Sequence, residues 1–573
     1  MNAGLTAQEP SAKYLVNLQP PLVRHFDLIA KAPSGVARLR ELILTLAVQG
    51  KLVPQDPSDE PASELLKKIR AEKDRLIAEG NIKRDKPLAE ITDEEMPFEL
   101  PAGWEWVRLG SVTTYGTPEK ASSIKPETWV LDLEDVEKST GRLLKKLRYS
   151  ERPALSDKNA FSAGDVLYGK LRPYLNKVFV ADEDGVCTTE IMPFRCYGPF
   201  VPSYFALALR APFFLDYVNA RSYGMKMPRL GTDDARRAFF PLPPMAEQSR
   251  IVTRVEELMQ LCDALEAQGQ LEAEQHARLV STLFGSLLQS DTPEALADNW
   301  QRIATHFDLL LDRPEAVDAL EQTILQLAVR GLLVPQDPTD EPASVLLQRI
   351  HAEKDRLIAE KKIRKGKPLP DIGDDEMFFE LPMTWIWVRL NSIGDWGAGA
   401  TPSRTNSNYY GGTIPWFKSG ELTADHITES EETVTEAALR ECSLRLNQPG
   451  DVLIAMYGAN IGKTAILDVV GTTNQAVCAC TPFAGMSNEY LLLLVKALKS
   501  YFISQGSGGA QPNISREKII HTVVGLPPLT EQSRIVTRIN EICALCANLR
   551  EHLYMVQAKQ KMLSMVLTEN ATS

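Results

Sequence analysis

The residues whose types and spacing could carry chemistry are polar and basic side chains in short, turn-rich segments. Arg and Lys can bond guanine, Asn and Gln can bond adenine, and Lys also suits phosphates, so this mixture indicates a DNA-reading surface. Solvated basic loops of similar composition are also common, and each residue has an alternative interpretation as ordinary turn structure. The candidate contacts are Lys170, Arg172, Tyr174 and Lys177 in "GKLRPYLNK", Lys226 and Arg229 in "YGMKMPRL", and Tyr457, Asn460, Lys463, Gln475, Gln511, Asn513 and Arg516 further on.

Motifs for other chemistries fail on spacing. "GANIGKT" at 458–464 has three residues between its first glycine and Gly-Lys, whereas a phosphate-binding loop has four. The pairs Cys478/Cys480 and Cys543/Cys546 lie in a strand-like run and a helical heptad, which favours buried thiols over zinc ligands. GxGxxG, GxSxG and HExxH motifs are missing from the sequence. We therefore expect no catalytic residues, no metal and no cofactor in this chain.

Composition predicts a multi-domain globular protein in a reducing compartment. The chain has 573 residues, 44% of them hydrophobic, and no run long and apolar enough to cross a membrane. The formal net charge is −12, but the balance is +2 in residues 99–244 and −3 in residues 380–528. The acidity lies mainly elsewhere, so it does not exclude DNA binding by those two segments. We expect a cytoplasmic location.

The segments that must position the candidate residues occur twice in the sequence. "LVPQDPSDEPASELL" from Leu52 returns as "LVPQDPTDEPASVLL" from Leu333, 281 residues later, and "AEKDRLIAE" returns at the same offset. "LPPMAEQSRIVTR" from Leu242 returns from Leu526. Between these constant frames the sequences diverge almost completely, apart from a shared "GDVL". A constant frame with two different inserts indicates one support that presents two different readers.

The frames read as helices and the inserts as α/β domains. Apolar residues in the later frame recur at spacings of four and three, which is typical of a coiled-coil seam, although an amphipathic helix on a globular core is an alternative. The predicted domains are residues 1–98 (N-terminal helical region), 99–244 (first reader), 245–379 (central helical region), 380–528 (second reader) and 529–573 (C-terminal helix). The seam residues are Ile251, Val255, Leu258 and Leu265 in the first copy and Ile535, Ile539, Ile542, Leu549 and Leu553 in the second.

Several of these motifs together resemble a known family, the specificity subunits of type I restriction-modification systems. The matching text includes the "LP…W…WVRL" openings, the "LPP…EQSRIV" closings, "GDVLYGKLRPYLNKVFVADEDG" in the first insert, and "GDVLIAMYGANIGKTAIL" with "GGAQPNIS" in the second. The resemblance implies an α+β fold in which two α/β target-recognition domains are separated and held by long antiparallel coiled-coil helices. It also implies an internal tandem repeat with pseudo-twofold symmetry.

The same resemblance implies the function and the partners. The chain would be a non-catalytic subunit that reads a bipartite, asymmetric double-stranded DNA target. It would join two modification (methyltransferase) subunits and the restriction subunits, with S-adenosylmethionine, ATP and Mg bound by those partners. The alternative is a coiled-coil assembly protein whose inserts bind protein, and a nucleotide-dependent enzyme using "GANIGKT" is a third hypothesis.

Overall fold

Helix-breaking residues divide each constant frame into two helices joined by the repeated phrase. The computed structural model describes residues 26 and 28–572, except 83, 85, 86, 154, 155, 291, 367, 368 and 508–511. The helix Gly35–Val48 ends at Gly50, whose φ of 67° suits glycine and whose added Cβ would lie 2.4 Å from Pro101 Cγ. Pro61 immediately precedes the helix Ala62–Ala78, and the Ser58 hydroxyl donates to Asp56 at 2.7 Å in the turn before it.

The chain forms two compact units, Met1–Glu272 with Val556–Ser573, and Ala273–Met555. The strands of the first unit are β1 Glu105–Arg108, β2 Thr113–Tyr115, β3 Thr117–Glu119, β4 Trp129–Leu131, β5 Leu147–Arg148, β6 Lys158–Phe161, β7 Val166–Gly169, β8 Val178–Val180, β9 Gly185–Cys187, β10 Ile191–Cys196 and β11 Phe239–Leu242. Among its described residues they form two longer sheets, of strand order β2-β10-β7-β8 and β3-β6-β9-β4-β5, in which neighbouring strands are antiparallel except for the parallel pair β4 and β9. Its further helices are Leu109–Val112, Pro202–Arg210, Pro212–Arg221 and Thr232–Arg237.

The strands of the second unit are β12 Ile386–Arg389, β13 Gly394–Ala398, β14 Tyr410–Phe417, β15 His426–Ile427, β16 Thr433–Val434, β17 Val452–Ala455, β18 Thr464–Leu467, β19 Thr472–Thr473, β20 Val477–Pro482 and β21 Val523–Leu526. The order β13-β20-β17-β18 repeats that of β2-β10-β7-β8 in the first unit, with β15 added at its edge, and a three-stranded sheet has the order β16-β14-β19. The helices of this unit are Pro293–Ala304, Phe307–Leu310, Pro314–Val329, Ala343–Ala359, Leu390–Ile393, Glu436–Glu441, Asn488–Ala497, Lys499–Ser504 and Arg516–His521. The fold is therefore mixed helix and sheet, as predicted.

The two ends of each insert are paired to each other. In the first unit β1 and β11 form an antiparallel pair that aligns Glu105 with Leu242. In the second unit β12 and β21 align Ile386 with Leu526 in the same way. Because "WVRL" at the start and "LPP" at the end lie side by side, each insert leaves and rejoins its frame at one place.

Two helices of 44 residues each follow the inserts: Met245–Leu288, here the first long helix, and Leu529–Thr572, the second long helix. The first begins in the first unit and ends in the second, and the second does the reverse. Within its own unit, the buried part of each predicted seam packs on the hydrophobic core of that unit. This packing is what the alternative interpretation, an amphipathic helix on a globular core, predicts. The core members are Ile251, Val255 and Leu258 with the half-buried Leu265 in the first unit, and Ile535 and Ile539 with the half-buried Ile542, Leu549 and Leu553 in the second. Pairing of the two long helices with each other stays a prediction.

A set of polar contacts, which we call the frame latch, fastens the repeated phrase to the start of each long helix. Buried Glu247 accepts hydrogen bonds from Gln55 Nε2 at 2.6 Å and from Trp104 Nε1 at 2.9 Å. Arg250 pairs with Asp59 at 2.6 Å. Burial raises the pKa of Glu247, and the bonds from Trp104 and Gln55 oppose that rise.

The second unit has the same frame latch. Glu531 accepts from Gln336 Nε2 at 2.6 Å and Trp385 Nε1 at 2.9 Å, and Arg534 pairs with Asp340 at 2.6 Å. The phrase that recurs in the sequence is thus a joint that also holds the base of the following helix.

Among the described residues, no helix is both long enough and apolar enough to span a membrane.

Candidate nucleic-acid interface

The first insert presents its basic segment as a loop between β7 and β8. β7 ends at Gly169, and the chain turns at Arg172, whose φ of 51° and ψ of 59° are left-handed. A short 3-10 turn, Pro173–Leu175, follows, and Asn176 is also left-handed and donates to the Arg210 carbonyl at 2.9 Å. A non-glycine residue in this conformation costs about 1–2 kcal/mol, and it persists where the surroundings hold it.

A hairpin, Tyr223 to Arg229, holds this loop from the side. Tyr223 and Arg229 exchange two backbone hydrogen bonds, of 3.1 and 2.9 Å. Arg172 N donates to the Pro228 carbonyl at 2.7 Å, and Leu230 N donates to the Lys170 carbonyl at 3.0 Å. Candidate residues from "GKLRPYLNK" and "YGMKMPRL", some fifty positions apart in sequence, are therefore one surface; we call it the first reading loop.

The second insert builds the same backbone arrangement from unrelated side chains. Ser507 and Asn513 exchange two hydrogen bonds, of 2.9 and 3.0 Å. Gly458 N donates to the Pro512 carbonyl at 2.8 Å, and Ile514 N donates to the Met456 carbonyl at 2.9 Å. Gly458, with a φ of 61°, takes the place of Arg172. This second reading loop brings Tyr457 and Asn513 together, whereas Gln511 lies outside the described residues.

The candidate side chains divide into those that face solvent and those that are already engaged. Arg172, Tyr174, Lys226, Tyr457 and Asn513 are exposed, and Lys170 and Asn460 are half-buried. Arg172 has neither a hydrogen bond nor an ion pair from its guanidinium to any described residue. The exposed members are the ones that could meet a ligand without first breaking a contact.

Four of the candidates have partners within the fold. Lys177 Nζ donates to the Leu133 carbonyl at 2.6 Å, and burial lowers its pKa. Arg229 pairs with Glu190 at 2.8 Å. The other two are Arg516, whose Nε donates to the Trp396 carbonyl at 2.9 Å, and Gln475, whose side-chain oxygen accepts from the Thr401 hydroxyl.

Lys463 lies apart from the second reading loop's hairpin. Its side chain lines a cleft with Lys496, Lys499 and Asp425, beside the helix Pro314–Val329. The Lys496 ammonium pairs with Asp425 at 2.6 Å. "GANIGKT" continues into the strand β18, whereas a phosphate-binding loop is followed by a helix. The structure therefore agrees with the residue spacing in arguing against a nucleotide-binding site.

Comparison with known proteins decides the family. A family profile described as "Type I restriction modification DNA specificity domain" matches residues 382–554. The chain is 37% identical to the "Type I restriction enzyme EcoAI specificity subunit" of Escherichia coli, with 94% of each chain covered. It is 34% identical to the EcoEI specificity subunit of the same species, again over 94% of each.

The chain belongs to the type I restriction enzyme specificity subunits. A solved chain from a study titled as the complex assembly and conformational transition of the type I R-M system shares its fold, with a TM-score of 0.51 at 22% identity. That match covers 83% of this specificity subunit and 99% of the solved chain.

Family membership also confirms that this specificity subunit is not an enzyme by itself, since specificity subunits are non-catalytic DNA-recognition components. Among the described residues no group of three or more His, Cys, Asp or Glu could hold a metal ion. All eight cysteines are free thiols, and burial raises the pKa of Cys478 and Cys543 to about 12.

Sequence reasoning missed the apolar residues of the first reading loop. Tyr223, Met225 and Met227 are exposed beside Lys226. The signal that could have found them is the shared spacing of Gly224-x-x-x-Pro228 and Gly508-x-x-x-Pro512. Equal spacing in otherwise unrelated sequences is a signal for a turn, and in the first insert the side chains between Gly224 and Pro228 lie at its tip.

Proposed function

We propose that this specificity subunit reads a bipartite, asymmetric DNA target, with one half-site read by residues 99–244 and the other by residues 380–528. The observation that carries the proposal is the pair of reading loops, because four matching backbone hydrogen bonds present different side chains in the two inserts. A common backbone would meet DNA in a common pose, while different side chains would select different bases.

The base contacts we propose are the exposed Arg172 and Asn513, together with Gln511, which lies outside the described residues. Arg172 suits guanine, and Asn513 and Gln511 suit adenine. Lys170, Lys226, Tyr174, Tyr457 and Asn460 would add phosphate or stacking contacts. Lys177, Arg229, Gln475 and Arg516 already have partners in the fold, so we assign them a supporting role that shapes the loops.

The two long helices would set the distance between the half-sites as an antiparallel coiled coil. Support comes from their direction, since one passes from the first unit to the second and the other returns. A helix of 44 residues is about 66 Å long, which accommodates readers on grooves that lie about 34 Å apart.

The repeated frame would place equivalent surfaces around a pseudo-twofold axis. Two copies of one methyltransferase subunit could then dock alike, and restriction subunits would join them. S-adenosylmethionine, ATP and Mg would belong to those partners, and the assembly would work in the cytoplasm on double-stranded DNA.

An exchange of inserts tests the proposal. Residues 380–528 are replaced by the second insert of another specificity subunit, and methylated adenines are sequenced after modification by the assembled complex. We expect one half of the target to change and the other to stay. A change in both halves, or in neither, would refute the assignment of one half-site to each insert.

A salt titration tests the underlying claim of DNA binding. Binding through phosphates releases counterions, so affinity should fall steeply and linearly in a plot of log K against log salt. Inserts that bind protein instead would show no affinity for DNA and hence no such slope.

A further inference from the structure

The first reading loop ends in a concentrated apolar tip. Tyr223 is 62% exposed, Met225 104% and Met227 54%. None of the three belongs to a hydrophobic cluster formed by the described residues of this unit. Single exposed apolar side chains are ordinary, but three at alternate positions of one seven-residue hairpin form a surface that the fold itself does not use.

The backbone holds this tip in a fixed position. Gly224 has a φ of 105°, and a Cβ there would lie 3.0 Å from the Met227 carbonyl oxygen, so the turn needs glycine. Arg172 N anchors the returning strand by its bond to the Pro228 carbonyl. A preset tip would lose little conformational freedom when it meets a ligand.

The surroundings of the tip match DNA. Lys226 lies between the two methionines in the chain and is exposed, and exposed Arg172 is bonded to the same hairpin through its backbone. In DNA, phosphates lie beside each step between stacked bases, so cations beside an apolar tip could bind the phosphates while the tip contacts the bases. The apolar part of DNA is the face of its bases, which proteins reach by inserting an apolar side chain between stacked neighbours. Methionine is unbranched and polarizable, so it fits an irregular gap of this kind.

The second reading loop differs at these positions. Its paired residues Ser507 and Asn513 are six positions apart in the sequence, as Tyr223 and Arg229 are, and they exchange two backbone hydrogen bonds in the same way. In sequence, "YGMKMPR" in the first hairpin corresponds to "SGGAQPN" in the second, so Gly509, Ala510 and Gln511 replace Met225, Lys226 and Met227. Large apolar side chains at these positions therefore occur in the sequence of the first insert and not in that of the second.

We infer that Met225, flanked by Tyr223 and Met227, is a wedge that enters the base stack of the half-site read by the first insert. The inference rests on the proposed DNA-reading function and adds a physical asymmetry to it. DNA would be unstacked at a step in the first half-site, and the second half-site would be read with its stack intact.

The test uses the specificity subunit assembled with its modification subunits. The DNA is a duplex that contains the target sequence, as identified from the adenines that the complex methylates. 2-Aminopurine, which brightens on unstacking, is placed at non-target positions of each half-site in turn. Met225→Ala removes the wedge and leaves the turn. Met383→Ala is the matched control, because Met383 is equally exposed, at 103%, in the other unit.

We expect wild type to raise the fluorescence in the first half-site only. Met225→Ala should abolish that rise and weaken binding to the target about ten-fold, the scale of one lost stacking contact. Binding to random DNA should stay the same, as should every property of Met383→Ala. Replacing residues 224–227 with "GGAQ" should give the Met225→Ala result and confirm that the tip is responsible.

Each contrary outcome has a distinct meaning. If wild type prefers the target but Met225→Ala keeps both the fluorescence and the affinity, the wedge is wrong and DNA reading stands. If wild type itself does not prefer the target to random DNA, the proposed function fails. If Met225→Ala loses a modification subunit on size-exclusion chromatography, the tip is a protein contact and the inference is overturned.

Discussion

Replacing Arg172 with glycine should separate the folding role of this position from its role in reading DNA. The left-handed conformation costs an L-residue about 1–2 kcal/mol, which glycine does not incur. Glycine loses about 0.5–1 kcal/mol more conformational entropy on folding. The relief of the left-handed conformation equals or exceeds the entropy loss, so the free energy of unfolding should be unchanged or rise by up to about 1.5 kcal/mol.

DNA binding should respond in the opposite direction. The guanidinium of Arg172 is exposed and has no described partner, so its loss breaks no bond within the fold. A bidentate contact with guanine contributes about 1–3 kcal/mol, which corresponds to a loss of roughly 5- to 150-fold in affinity for the target. Affinity for random DNA should change far less.

The assay pairs urea unfolding with DNA titrations of the assembled complex at one fixed salt concentration. Arg172→Lys is the informative companion, because lysine keeps the charge but lacks the planar fork that binds guanine bidentately. Arg172→Lys should therefore lose affinity for the target DNA to a similar extent as Arg172→Gly. Full activity of Arg172→Lys, or equal losses on target and random DNA, would assign Arg172 to a phosphate. Unchanged affinity in Arg172→Gly would refute the reasoning.

Three further predictions concern the second unit. Gly458→Arg should fold, since an added Cβ there meets nothing within 4 Å, although its left-handed φ of 61° should cost about 1–2 kcal/mol of stability. The variant should alter methylation in the second half-site only. Gln511→Ala should weaken target binding by about 1–3 kcal/mol if Gln511 contacts a base, measured against random DNA. Asp340→Asn should lower stability by about 1–3 kcal/mol at neutral pH. The Arg534 bond lowers the pKa of Asp340, so its stabilisation is present above the ordinary pKa of roughly 3.9 and is lost as pH falls through the lowered value. Urea midpoints of wild type and variant should therefore converge in acid, and a constant gap would contradict this.

The frame was predictable from the sequence because its signals are local and repeated. Gly50 ends one helix, apolar residues recur at helical spacing from Ile251 onward, and "GDVL" leads into β7 and β17. The buried cysteines were also predictable, since Cys478 and Cys480 lie in β20. Each of these features depends on neighbours a few residues away.

The reading loops were only partly predictable, because they depend on contacts between distant segments. The bridge from Leu171 to Arg229 joins residues far apart in a sequence that has no periodicity there. The direction of a long side chain is no easier to predict. Lys177 and Arg516 looked equivalent to Arg172 in composition, but they turn to the carbonyls of Leu133 and Trp396. Composition located the surface and could not choose its exposed members.

The arrangement of the frame latch explains why the frame can stay constant while the inserts change. Glu247 is held by Gln55 and Trp104, which both precede β1 in the chain, and β1 pairs with β11 beside them. The bonds to Glu247 therefore use no residue between β1 and β11, whereas the next helix residue, Gln248, accepts a hydrogen bond from the Val201 backbone N–H of the insert at 3.0 Å. A new insert needs to begin and end at neighbouring points and to supply one backbone N–H to that glutamine, as Ser487 does for Gln532 at 3.1 Å in the second unit. Side chains elsewhere in the reader can then change without disturbing the frame latch. The same independence predicts that Glu531→Gln, which replaces one acceptor of the second frame latch with a donor, should destabilise the second unit without changing the bases that it selects.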